Sequence, residues 1–208
     1  MKMMQQLTPK FLIDQCVAAD ELKTDFRINF SRFRLADYYK IKTEESIDYN
    51  FYSTKFGEII VGATADSICY LHFIIDKEKA YQDFKLFFPD CNWQQKESKQ
   101  HQIALNIINE NKWPEYLNLK VKGTDFQYKV WRALTKIEIG KITTYSELAK
   151  NMGINGGSRA VGSAIGMNEI AYLIPCHRVI QKTGKLAGFR WGEGLKSKLL
   201  ITELIGTE

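Results

Sequence analysis

Between Thr144 and Met167 two helical patterns are separated by only a short, glycine-bearing turn, and this spacing constrains the fold more than any other feature of the chain. Thr144-Tyr145-Ser146-Glu147 fits a capping box, and Leu148, Ala149 and Met152 continue a helix that closes at Gly153. Ser158 to Met167 again has helical spacing, with Val161, Ala164 and Ile165 on the inward side. Helix, turn, helix is a pattern used to read nucleic acid. The outward stripe of the second helix is Arg159, Gly162, Ser163 and Gly166, one cation followed by the smallest side chains. Each helical glycine costs about 1 kcal/mol relative to alanine, so a bare surface should serve a close approach, either of DNA or of another helix.

Charge supports the first choice without deciding it. The chain of 208 residues has a net charge of +5, unevenly spread. Residues 1–119 hold 15 Lys/Arg against 17 Asp/Glu, whereas residues 120–208 hold 14 against 7. A polyanion would bind the basic half, although a solvated basic face gives the same count. With 45% hydrophobic and 25% charged residues the composition is that of a globular protein. No apolar run is long enough for a membrane span and Met1 to Lys10 lacks the apolar core of a secretion signal, so a cytoplasmic protein is expected, or a nuclear one in a eukaryotic host. Cys16, Cys69, Cys91 and Cys176 are scattered, and His72 and His101 stand near two of them without close ligand spacing. No metal site is expected.

The remainder divides into three parts. Residues 1–45 mix aromatic and charged residues (Phe26, Phe30, Phe33, Tyr38, Tyr39 among Arg27, Arg32, Arg34), which suggests short helices or an extension packed on the body. Residues 46–118 read as an α/β domain. Ile47 to Tyr52, Gly57 to Ala63 and Ser67 to Ile75 form successive strands of a small antiparallel sheet, and Asp76 to Phe88 and His101 to Asn111 form helices. Residues 119–208 form the third part, opening with a capping box at Thr124 and Gln127 and an apolar helix face of Phe126, Val130, Trp131, Leu134 and Ile137.

After the second helix come Asn168, an apolar strand-like run from Ile170 to Ile174, and then Pro175-Cys176-His177-Arg178-Val179-Ile180. A thiol beside an imidazole is the raw material of a thiolate nucleophile, because only the deprotonated sulfur attacks well. Adjacent side chains on a strand point to opposite faces, so the pair communicates only at a turn or through water. Pro175 makes such a break plausible.

The block Ile174-Pro175-Cys176-His177-Arg178-Val179-Ile180 resembles the active-site signature of the O6-alkylguanine-DNA alkyltransferases. The resemblance extends loosely over Ile47 to Glu203 and closely over Gly123 to Glu203, through Gly123-Thr124-x-Phe126-Gln127, Val130-Trp131, Tyr145, Ser158-Arg159-Ala160-Val161-Gly162, Asn168 and Gly184. Gly188-Phe189-Arg190-Trp191-Gly192 looks like the methyltransferase half of the bacterial adaptive-response protein. The fold implied is α+β, with a ribonuclease H-like N-terminal domain and a C-terminal winged helix-turn-helix-like domain for DNA binding and alkyl transfer.

The resemblance also implies roles. Cys176 would accept the methyl group of O6-methylguanine, and of O4-methylthymine, irreversibly and once per molecule. His177 would take the thiol proton through a bridging water, with Glu203 orienting it, a triad logic applied to sulfur. Arg159 would fill the gap left by a flipped base, and Tyr145 would crowd the phosphate and contact the base. Ala160, Gly162 and Ser163 would lie in the minor groove of double-stranded DNA. Asn168, Val179, Phe189 and Arg190 would form the substrate pocket. No cofactor is implied, no membrane partner, and a monomer.

Two departures are visible. Glu169 stands where many relatives have proline, and Trp191 stands where vertebrate relatives have glycine, a replacement expected to narrow the pocket lip. The adaptive-response protein's four-cysteine cluster is not found in the sequence, so transcriptional control is not expected. The rival readings are a helix-turn-helix damage sensor without transfer activity, and a cysteine hydrolase built on Cys176 and His177. The retained cysteine argues against the first, and the second leaves the paired helices unexplained.

Overall fold

The structure is a computed structural model that describes residues 7–18, 21–22, 27–33, 46–89 and 91–206. It divides into two compact units: Phe26–Gly123 with Glu169–Leu173, and Met1–Asp25 with Thr124–Asn168 and Ile174–Glu208. Phe26, Arg34, Tyr38 and Tyr39 of the expected N-terminal extension lie outside the described residues.

The first unit is built on a sheet. Its strands are β1 (Arg27–Arg32), β2 (Ser46–Thr54), β3 (Gly57–Ala63), β4 (Ile68–Phe73), β5 (Asn92–Gln95) and β6 (Tyr116–Val121), in the order β1-β6-β4-β3-β2-β5. The expected antiparallel meander is present as β2-β3-β4, but the sheet is larger and mixed, because β1 and β4 run parallel to β6 and β2 runs parallel to β5. Parallel neighbours need long crossovers, here the helices that join the strands, and so are invisible to hairpin signals. Helix α2 (Lys77–Phe87) starts at Asp76, whose side chain accepts from the Lys79 amide, and α3 (Lys99–Glu110) starts at Ser98. Phe84 of α2 packs with Ile47, Tyr49, Ile60 and Tyr70 of the sheet. Gly62 permits that approach, since a Cβ there would sit 2.9 Å from the Phe84 ring.

The second unit is mostly helical. Helix α1 (Pro9–Asp14) is capped by Thr8. Helix α4 (Asp125–Leu134) has the full capping box expected of Thr124 and Gln127, and it buries Val130, Trp131 and Leu134. Strand β7 (Thr143–Thr144) runs straight into α5 (Tyr145–Asn151), where the Thr144 hydroxyl accepts from the Glu147 amide. Helix α6 (Ser158–Gly166) buries Val161, Ala164 and Ile165, the three residues expected inward. The Trp131 indole N–H donates to the Ala164 carbonyl at 2.9 Å and ties α4 to α6. Strand β8 (Val179–Ile180) pairs in parallel with β7, and α7 (Glu193–Ile205) closes the unit. Among the described residues no helix is long and apolar enough to cross a membrane.

The run Ile170–Ile174 is not a strand, contrary to its apolar composition. It makes one isolated bridge, Leu71 to Ile170, and otherwise turns. Tyr172 adopts a φ of 66°, a left-handed conformation that costs an aromatic residue about 1–3 kcal/mol. The Leu173 amide bonds back to the Ala171 carbonyl at 2.8 Å, and the Cys176 amide to the Ile174 carbonyl at 2.8 Å. Two three-residue turns therefore deliver the chain to Cys176.

Candidate active site

Pro175 is the central residue of the second of these turns, and Cys176–Arg178 form one turn of 3-10 helix. A 3-10 turn separates neighbouring side chains by about 120°, so Cys176 and His177 leave the chain in different directions without the full opposition of a strand. Both are buried, at 5% and 0% exposure. The Asn168 side-chain amide donates to the Cys176 sulfur at 3.3 Å and to the Ile174 carbonyl at 3.0 Å, binding the end of α6 to the nucleophile.

Behind the cysteine lies a closed charge network. The His177 Nε2–H donates to Glu203 Oε1 at 3.0 Å. Arg178 grips the same carboxylate with two bonds of 2.8 Å, from Nε to Oε2 and from Nη2 to Oε1, while its Nη1 donates to the Ile137 carbonyl at 2.6 Å. Burial raises the Glu203 pKa, but Arg178 and His177 outweigh it and hold the carboxyl well below its ordinary range. Burial lowers the His177 pKa despite Glu203, so the imidazole is neutral at neutral pH. With Nε2 committed as donor to Glu203, proton exchange with the thiol must use Nδ1.

Burial pushes the Cys176 thiol up, and the Asn168 bond and the charges of Lys196 and Arg190 pull it partly back. The resting group is therefore a protected thiol that becomes a thiolate only when a base takes its proton. Lys196 on α7 is fully buried, and its Nζ donates to the Val179 carbonyl at 2.7 Å. Its pKa falls to about 8 through burial, with Cys176 and then Glu193 opposing the fall. Arg178 and Lys196 were missed by sequence reasoning. Their type marks them as surface residues, and only the regular spacing from Lys196 to Leu199, Leu200 and Glu203 on one helix hints at an inward side.

The other expected site residues fall into two groups. Tyr145, at the start of α5, is close enough to Cys176 for the sulfur's charge to add to the burial that raises its hydroxyl pKa. Arg190 donates to the Gly166 carbonyl at 2.9 Å, Phe189 lies 5.9 Å from the Lys196 Nζ, and Val179 lends its carbonyl to Lys196. Trp191, expected at the lip, is buried at 7% exposure and packs edge-on against Phe189 at 5.2 Å. Of these, Tyr145 and Arg190 are near enough to Cys176 for charge to act between them, while Phe189 and Val179 meet Lys196. Arg159, Ala160 and Ser163 are exposed on α6, with Gly162 half-buried between them. Arg159 and Gly162 share an open cleft of about 500 Å³ with Tyr145, Ser146, Lys182 and Gly188. Among the described residues no group of three or more His, Cys, Asp or Glu could hold a metal ion.

The family model described as the DNA-binding domain of 6-O-methylguanine DNA methyltransferase matches residues 125–205, the stretch that carries this geometry. A methylated-DNA-protein-cysteine methyltransferase of Lodderomyces elongisporus is 31% identical over 92% of this chain and 78% of its own length. One from Methanosarcina acetivorans is 35% identical over 74% of this chain and 97% of its own. The chain belongs to the methylated-DNA-protein-cysteine methyltransferase family. Within that family, a Candida glabrata member is 52% identical over 81 residues, 39% of either chain. The chain covers 46% of the bifunctional transcriptional activator/DNA repair enzyme Ada of Escherichia coli, at 32% identity. Among solved structures, the Mycobacterium tuberculosis protein OGT in complex with DNA superposes with a TM-score of 0.63 at 30% identity, over 76% of this chain and 93% of that one. The mixed α/β architecture of this chain is the one found there.

Proposed function

We propose that this protein repairs O6-methylguanine in double-stranded DNA by moving the methyl group to Cys176, once per molecule. The observation that carries the proposal is the Cys176 site itself: a buried thiol bonded to Asn168, beside a neutral imidazole held in one tautomer by Glu203. His177 Nδ1 takes the thiol proton through a water, and Glu203 stabilises the imidazolium that results. The sulfur then attacks the methyl carbon in line. A C–S bond forms, the C–O bond breaks, and the guanine oxygen leaves with the electron pair while the base regains a proton. Nothing removes the methyl from a thioether, so the protein is consumed.

The target base must leave the stack, at a cost of a few kcal/mol. Arg159 fills the vacancy while α6 lies in the minor groove, and Tyr145 and the cleft beside it receive the base. The glycines support this placement. A Cβ on Gly166 would meet nothing within 4 Å, and one on Gly162 would meet Tyr145 at an ordinary 3.5 Å, so packing inside the protein does not demand either glycine. The N-terminal sheet is ribonuclease H-like and the paired helices belong to a winged arrangement in this reading, with a monomer acting in the cytoplasm, or the nucleus of a eukaryotic host. O4-methylthymine is a second substrate. The damage-sensor alternative is disfavoured, because a binder has no use for a thiol so closely serviced.

The test is to mix the protein with a duplex containing O6-methylguanine and weigh the peptide bearing Cys176. A gain of one CH2, stoichiometric with DNA repaired, is expected, and Cys176→Ala should bind without transfer. Catalytic turnover, or a methyl on another residue, would refute the reading.

A further inference from the structure

Residues 7–17 are braced against three stretches of chain that end at the cleft, all within the helical unit. Leu12, at 1% exposure, packs with Ile142, Ile180 and Leu200, and half-buried Leu186 joins that cluster. The Val17 amide donates to the Ile142 carbonyl at 2.9 Å, the Thr143 hydroxyl donates to the Val17 carbonyl at 3.3 Å, and Cys16 forms a parallel bridge with Ile142. Gly184 (φ 79°) lies under Pro9, where an added Cβ would come within 2.5 Å of the Pro9 carbonyl oxygen. Each braced position immediately precedes cleft residues. Ile142 leads through β7 to Tyr145 and Ser146, Ile180 leads to Gln181 and Lys182, and Leu186 leads to Ala187 and Gly188.

We propose that this N-terminal segment is a strap that sets the width of the cleft beside Tyr145, and thereby limits the size of alkyl group the protein accepts. Tyr145 is the cleft residue whose hydroxyl feels the Cys176 sulfur. Leu12, Pro9 and Val17 touch no substrate and act as positioning residues through the three stretches. A closely packed brace resists displacement because any side chain that withdraws leaves an unfilled space behind it. With the strap slack, the Tyr145 and Gly188 sides of the cleft separate. A large alkyl group then enters more easily, while a methyl group is held less firmly against the sulfur.

The proposal rests on the transfer reading above, and its test separates the two. Single-turnover rates at saturating DNA are measured for duplexes carrying O6-methylguanine or O6-benzylguanine, in the full chain, in Leu12→Ala and in Gly184→Ala. Phe84→Leu, in the core of the sheet unit, controls for a general loss of stability, and the milder Leu12→Val serves if Leu12→Ala does not fold. The strap variants should raise the benzyl-to-methyl rate ratio at least fivefold, with affinity for undamaged duplex changed less than twofold, and Phe84→Leu should leave the ratio unchanged. A ratio unaltered in folded strap variants, or altered equally by Phe84→Leu, overturns the strap. Absence of transfer by the unaltered chain would instead sink the proposed function.

Discussion

Glu203 is the residue on which the site's electrostatics turn, because one carboxylate serves both the imidazole and a buried guanidinium. Glu203→Gln leaves Arg178 charged and uncompensated, a change that costs about 3–5 kcal/mol in comparable buried pairs. It also removes the acceptor that fixes the His177 tautomer. Transfer should slow by about 10²-fold or more, read as single-turnover rate, and thermal melting should drop with it. The pH dependence has a definite sign. The folded pKa of Glu203 is depressed, so its stabilisation is complete above the unfolded carboxylate pKa and fades as acid protonates it, and the Gln variant should lack that acid-side loss. Lys196 gives a slope of the same sign in the alkaline window. Its pKa drops from 10.5 to about 8 on burial, so the fold binds its proton less well than the unfolded chain, and stability should rise as pH climbs from about 8 towards 10.5. Lys196→Met should abolish that rise. It should also move the rate-against-pH curve to higher pH, since the lysine's charge helps hold the Cys176 pKa down. In the sequence, Cys176 beside His177 could be picked out as a candidate nucleophile pair from residue chemistry, whereas Asn168 was named only through the family resemblance. Glu203, Arg178 and Lys196 could not be read from chemistry alone, since charged residues such as Glu203 and Lys196 on a helix look solvated until the helix is seen to point inward, and Arg178 in a short 3-10 turn carries no periodicity at all.

At the scale of elements, α6 combines low intrinsic stability with an exposed face. Gly162→Ala should stabilise the protein by about 0.5–1 kcal/mol, because alanine restricts the unfolded chain and the new Cβ makes only an ordinary contact. The same methyl group should weaken binding to duplex DNA, measured by titration with the Cys176→Ala background to prevent repair. Increased affinity would mean that α6 is not the docking helix. The helices could be read from local signals, because Thr124, Thr144 and Asp76 each mark a start through hydrogen bonds confined to one turn. Strands β1, β5 and β6 could not. Strand β1 pairs with β6 across about ninety residues, as in Arg27 opposite Tyr116, and no local rule reports such a partner. The run Ile170–Ile174 misled in the other direction. Its apolar residues are buried in turns, where burial without a ladder gives the same composition as a strand.

For the molecule as a whole, the division into units has an uneven seam. Glu169–Leu173 belong to the sheet unit, although Asn168 before them and Ile174 after them belong to the unit that holds the cysteine. Within the sheet unit the segment is firmly attached. The Leu71 amide donates to the Glu169 carbonyl at 2.9 Å, the Ala171 amide donates to the Leu71 carbonyl at 2.8 Å, and Glu169 pairs with buried His72 at 2.5 Å. Glu169 thus ties the segment to His72 through its side chain. A methyl group on Cys176 must occupy space at the sulfur that Asn168 now approaches to 3.3 Å, and close-packed sites resist such additions by about 1–3 kcal/mol. Asn168 and Glu169 are joined by a single peptide bond, so whatever yields at the sulfur pulls on the bracket that carries Tyr172 in its unfavourable φ. Limited proteolysis should therefore distinguish fresh from spent protein, with new cutting between residues 169 and 173 appearing only after alkylation. The chain would then record its own exhaustion as a broken tether, legible to any protease that passes.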